Sequence, residues 1–197
     1  MKAQFIQRII ISTTLFTGLL TVAHAAIPLP VGWYVEPNVG ISTIQSKSYK
    51  GSTNSGIGYN LNAGYKFMPY FAAEIGYTHY YTTKVKSGGT TAGKDAHYSY
   101  DLAAKAMVPI TDSGAEVFAK LGIMRLNDKV TISNSAVASS INLNAGTHTA
   151  TGIYMALGGD YAFTPEMAGV VQWARAKGNS NTGTMDLLSI GLTVLFE

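Results

Sequence analysis

Residues 186–196 read D-L-L-S-I-G-L-T-V-L-F, and this stretch decides the fold. Leu188, Ile190, Leu192, Val194 and Phe196 fall on one face of an extended strand, and Ser189, Gly191 and Thr193 on the other. Successive side chains of a strand point to opposite sides, so one face is apolar and the other small or polar. A closing strand of this kind must pair with something already built. The first strand is the natural partner, because that pairing turns a sheet into a barrel and removes both edges.

The same alternation recurs upstream. Residues 31–43 read as the first strand, with Pro37 predicting a bulge or irregular pairing. Residues 56–67 alternate Ile57, Tyr59, Leu61, Ala63, Tyr65 and Phe67 with glycine, asparagine and Lys66. Further strands are expected over 71–81, 98–108, 116–123, 153–161 and 167–175, eight in all with the last. Polar connections at 47–55, 85–96, 128–149 and 177–184 read as long loops, and those around Pro69, Pro109 and Pro165 as short turns. Ten-residue alternating segments with unequal connections at the two ends are the signature of an outer-membrane barrel. The fold class is therefore all-β, a closed antiparallel eight-stranded transmembrane β-barrel with up-and-down order.

Composition agrees. Hydrophobic residues make up 47% of the 197 and charged residues only 13%, about half the ~25% usual in soluble chains. Past the N-terminus no run reaches the ~18 apolar residues that a helical span needs. Cysteine is absent, which excludes disulfides, thiolate metal sites and cysteine catalysis.

Residues 1–25 are expected to be a signal peptide. Lys2 and Arg8 precede an apolar run over 9–22, and Ala23-His24-Ala25 supplies small residues for cleavage after Ala25. The barrel domain is then 26–197. Loss of Lys2 and Arg8 leaves 12 bases against 11 acids, so the pI near 9.0 carries no nucleic-acid message.

Alternation alone does not say which face is inside. A soluble barrel turns the apolar face in, and a membrane barrel turns it out. Aromatic residues gather at both strand ends, as two membrane interfaces favour, and the polar face is rich in glycine, as a narrow interior requires. Both observations point to the membrane. Counting from the short turns places Glu74, Lys105, Lys120 and Asp160 in one layer of the polar face, with Asp101 and Glu116 beside it. Buried charges must be paired, and an eight-stranded barrel is only wide enough for side chains to fill. These six residues are expected to form a charge network that plugs the lumen.

The octet 189–196 resembles the signal read by the barrel-assembly machinery: Ser189 as the polar residue, then Gly191, Val194 and the aromatic Phe196. The stretch 32–40, G-W-Y-V-E-P-N-V-G, and the stretch 62–67, N-A-G-Y-K-F, resemble strands of OmpA-type outer-membrane β-barrel domains. That resemblance implies a small eight-stranded barrel without the peptidoglycan-binding domain of longer members, and the assembly machinery as a partner in biogenesis.

Catalytic chemistry finds little support. His79 falls on the apolar face, while His97 and His148 fall at loop edges. None has a serine or acid at a recognisable motif spacing, and Asp95, two residues from His97, reads as a surface-loop neighbour. The His, Asp and Glu spacing suggests no metal site, and no cofactor is expected. The long-loop end carries nine bases against Asp95, Asp128 and Asp186. Among those bases, Arg125, Arg175 and Lys177 are candidates for contact with lipopolysaccharide phosphates, which favour Arg and Lys donors. The expected role is structural or surface-interacting, in a Gram-negative outer membrane and without an identifiable loop ligand. A narrow porin-like channel is the alternative, and a lipid A-modifying enzyme stands third.

Overall fold

The computed structural model describes residues 30–45, 54–110 and 114–196. The signal stretch over 1–25 and the bases Lys47 and Lys50 lie outside the described residues. Nine strands form one antiparallel sheet: β1 (Gly32–Ile44), β2 (Ser55–Met68), β3 (Phe71–His79), β4 (Thr83–Ser87), β5 (Thr90–Ile110), β6 (Ala115–Ile132), β7 (Gly146–Ala162), β8 (Met167–Lys177) and β9 (Thr184–Phe196). A one-turn helix, α1 (Ser135–Ser140), interrupts the β6–β7 connection. Its N-cap is Asn134, whose side chain accepts from the Val137 N–H at 3.2 Å.

The ring has eight members. β1 pairs with β2 on one side and β9 on the other, with Trp33 opposite both Tyr65 and Phe196. β3 and β4 both pair with β5. They are successive parts of one ring position, joined where the Tyr80 N–H donates to the His97 carbonyl at 3.0 Å. Closure leaves no free edge along the spanning part of the sheet.

Pro37 causes no slip. It pairs with Leu61 in an unbroken β1–β2 register, while the β1–β9 ladder skips from Val35 to Asn38 and resumes in phase. A proline has no N–H to give, so the expected irregular pairing falls on the β9 side as a gap in the ladder, and no bulge forms.

One predicted loop is in large part strand, and a second is strand at both its ends. Residues 85–96 form the β4–β5 hairpin, turned by Gly88-Gly89 between the paired residues Ser87 and Thr90. Both glycines have positive φ, +56° and +80°, as a two-residue turn compatible with strand twist requires. In the stretch 128–149, β6 continues to Ile132 and β7 starts at Gly146. The turn predicted from Pro109 begins later, because β5 runs on to Ile110.

The apolar face points out. Trp33, Ile57, Ile75, Leu121, Ile123, Leu157 and Ile190 are all exposed. An exposed belt of this kind around the ring fits a hydrocarbon surround. Trp33, Tyr65, Phe67, Tyr70, Phe71, Phe163 and Phe196 ring the short-turn end. Tyr59, Tyr77, His79, Tyr98 and Tyr100 form a contiguous aromatic patch toward the other end, where Tyr59 stacks on His79 at 5.0 Å. No described helix is long and apolar enough to cross a membrane.

Candidate functional site

The lumen is filled in layers. Its centre is Glu36, fully buried on β1. The Lys120 ammonium on β6 donates to Glu36 Oε1 at 2.9 Å, and Lys105 on β5 donates to Oε2 at 3.1 Å. Asn62 and Thr193 also donate to the same carboxylate, at 3.0 and 3.3 Å. Lys120 reaches Glu74 Oε2 at 2.8 Å. Tyr34 donates its hydroxyl to Glu74 Oε1 at 2.6 Å. Lys105 lies 3.7 Å from Glu74 and 3.9 Å from Asp160. Toward the short turns a separate pair, Lys66 and Glu116, meets at 3.5 Å. Amides continue the network, with Asn38 donating to Asn60 at 3.1 Å and Asn60 to Asn62 at 2.9 Å.

Two apolar layers enclose these charges. On the short-turn side lie Tyr34, Ala72, Met107, Phe118, Ala162, Ala168, Val170 and Leu195. On the long-loop side lie Ile44, Tyr80, Met124, Leu126, Tyr154, Met185 and Leu187 with small alanines. The Phe118 ring faces both ammonium groups, 4.2 Å from Lys105 and 5.1 Å from Lys120, which adds cation–π attraction. Packed between these layers, each buried charge depends on its fixed partners.

Of the six residues expected here, Glu74, Lys105, Lys120 and Asp160 belong to one cluster. Glu116 joins Lys66, and Asp101 is buried opposite Gly76 on β3. The sequence reading missed Glu36, the carboxylate that ties both lysines together. The signal was present: Tyr34, Glu36, Asn38 and Ser42 share the buried face while Trp33, Val39 and Ile41 are exposed. The assumed irregularity at Pro37 hid that phase.

The long-loop end is built differently. Beyond Leu102, Ile123 and Ile153, the outer wall carries Arg125 between Tyr100 and Thr151, then Lys129 between Ala96 and Thr147. Lys94 follows, directly opposite Lys84. All four cations are exposed. Arg175 is half committed: its guanidinium holds Asp186 through two hydrogen bonds of 2.7 and 2.9 Å and lies 5.0 Å from the Trp173 ring. Lys177 is exposed on the same outer face. Asp95 and Asp128 point inward and are buried. His97, read as a loop-edge residue, is buried with them on β5, so the Asp95–His97 neighbours are not a surface pair. In the closing strand, Ser189 and Gly191 face the lumen, whereas Val194 and Phe196 face out.

The sequence profile of the outer membrane protein beta-barrel domain matches residues 12–196. The chain belongs to this outer-membrane β-barrel family. Comparison with curated proteins found no match. Among solved structures, the fold is similar to Neisserial surface protein A at TM-score 0.63 and 19% identity, covering 84% of this chain and 97% of that one. It is also similar to Ail of Yersinia pestis, solved with the heparin analogue sucrose octasulfate, at TM-score 0.57 and 14% identity over 85% of this chain and 100% of that one. The N-terminal β-barrel domain of Pseudomonas aeruginosa OprF aligns at TM-score 0.57 and 13% identity, with coverages of 85% and 100%. These likenesses support the eight-stranded outer-membrane architecture.

Proposed function

We propose that this chain is a non-conducting surface-interaction barrel of the Gram-negative outer membrane, holding anionic lipopolysaccharide against its wall at the long-loop end. The observation that carries the reading is the direct opposition of Lys84 and Lys94 on the outer face. Like charges placed opposite each other destabilise a strand pair, and an anion shared between them removes that cost. Lys129 and Arg125 continue the column down to the edge of the apolar belt. The cations face sideways, where a neighbouring glycolipid places its phosphates, and Arg and Lys are the donors such groups select. The closed layers of the lumen argue against solute passage, and the reading is one of binding rather than catalysis.

Calorimetric titration of the folded barrel in detergent with lipopolysaccharide tests this, with a phosphate-free form as the second arm. Binding that falls at least tenfold in Lys84→Gln/Lys94→Gln/Arg125→Gln, and that weakens with salt, is the expected result. Equal binding by that variant, or steady nanosiemens openings in planar bilayers, overturns the reading.

A further inference from the structure

We propose that Asp95, His97 and Asp128 form a binding site for a borderline divalent cation of the zinc type, inside the mouth of the barrel. The three side chains are essentially without exposed surface. Each offers one ligand atom, and all three atoms lie within 4.8 Å of one another. The His97 Nε2 atom is 3.5 Å from Asp95 Oδ1 and 3.7 Å from Asp128 Oδ1. Those separations exceed the ~3.2 Å limit of a good hydrogen bond. They match the spacing of two ligands that share one tetrahedral ion at ~2.0–2.2 Å from each.

The strand register builds the cluster. His97 and Asp128 are direct cross-strand partners on β5 and β6. Asp95 is two residues from His97 on β5, on the same lumen-facing side. A second observation comes from Thr83 on β4, the cross-strand partner of Asp95. Its side chain is buried on that same face, and its Oγ1 makes no hydrogen bond. Cross-strand neighbours sit ~4.5–5.5 Å apart at Cβ, which puts this buried hydroxyl within reach of a water on an ion held by Asp95.

Ligand chemistry narrows the ion. One imidazole and two carboxylates suit zinc, manganese or ferrous iron, whereas calcium takes six to eight oxygens. With a divalent ion the three ligands give a neutral complex, which suits a buried position. The ion enters from the long-loop side and ties β5 to β6, with Thr83 bringing in β4. It would brace the part of the sheet that rises beyond the apolar belt.

Calorimetry of the chelator-treated, refolded barrel with zinc chloride alone is the test. One zinc per chain is expected. Asp128→Asn and His97→Gln should weaken binding about a hundredfold, and Thr83→Val about tenfold, as loss of an outer-shell partner does. His79→Gln, on the aromatic outer face, should bind as the parent does. X-ray absorption on the zinc-loaded parent needs no variant and should show one nitrogen among light neighbours at ~2.0–2.1 Å. No zinc binding by the parent, undiminished binding by His97→Gln, or an all-oxygen shell overturns the proposal.

Discussion

Lys120 donates to Glu36 across the lumen at 2.9 Å, and neither residue is more than 2% exposed. The two come from strands far apart in the ring, 84 residues apart in sequence. The contact exists only once the barrel has closed. It links the first strand, at the closing seam, to the opposite wall.

Glu36→Gln should therefore destabilise the barrel strongly. Removing one partner of a buried ion pair costs roughly 3–5 kcal/mol, because the other charge stays buried. Lys120 would keep Glu74, and Lys105 would keep Glu74 at 3.7 Å and Asp160 at 3.9 Å. Urea unfolding in detergent, followed by heat-modifiable gel migration, reads the loss. The double variant Glu36→Gln/Lys120→Met should lose less than the sum of its single changes, as coupled residues do. Both should stay non-conducting, since the apolar layers on either side remain.

Gly64 should tolerate no side chain. A Cβ there would stand 2.5 Å from the Tyr34 ζ carbon and 2.6 Å from its hydroxyl. The ring needs that space to reach Glu74. Gly64→Ala should cost about 1–3 kcal/mol by overpacking, measured by the same urea midpoint. Pairing it with Tyr34→Leu should recover part of the steric loss while forfeiting the hydrogen bond. Full additivity of the two changes would mean that they do not meet.

How far the sequence could be read depends on where a strand lies. Within the belt, the outer side is oily and the inner side polar, so Leu121 and Ile123 against Lys120 gave the correct phase. Beyond the belt the outer wall is polar and the pattern inverts. On β4, Lys84 and Lys86 face out while Thr83 and Val85 face in. On β6, Arg125 and Lys129 face out while Leu126 and Val130 are buried. Residues 85–96 look like a loop only if one phase is demanded throughout. Gly88-Gly89 reads as a turn from sequence, but the short alternating runs on either side of it are what make a hairpin. Asp128 could not be joined to His97 from spacing alone, because the β5–β6 register brings them together. The lumen charges were legible by counting from turns, but Glu36 required trusting the alternation through Pro37.

The Gly88-Gly89 turn should respond to a pair of alanines. Both positions need positive φ, where an L-residue with a Cβ pays roughly 1–2 kcal/mol each. Gly88→Ala/Gly89→Ala should loosen the β4–β5 hairpin without unfolding the barrel, whose ring closes below it through β3 and β5. Limited proteolysis of intact proteoliposomes should show faster cutting near Lys84, Lys86 and Lys94 with an unchanged heat-modifiable core. Unchanged cutting would mean that the hairpin is held from elsewhere.

The assignment of faces can be tested on one strand. Leu121 is 65% exposed and lies in the middle of the outer belt, between Ala104 on β5 and Met155 on β7. Thr131 points the same way ten residues on, opposite Lys94 and beyond the belt. If lipid touches the outer face only over the belt, an arginine should be costly at the first position and nearly free at the second. Depth-dependent penalties of about 2–4 kcal/mol at the midplane and ~0–1 near the interface set the scale. Leu121→Arg should lower the folding free energy in lipid vesicles by that larger amount, and Thr131→Arg should leave it within error. Side-chain burial in the protein cannot produce this contrast, since both positions are exposed. A soluble barrel would tolerate both changes, and an equal response from the two would place the membrane boundary elsewhere on β6.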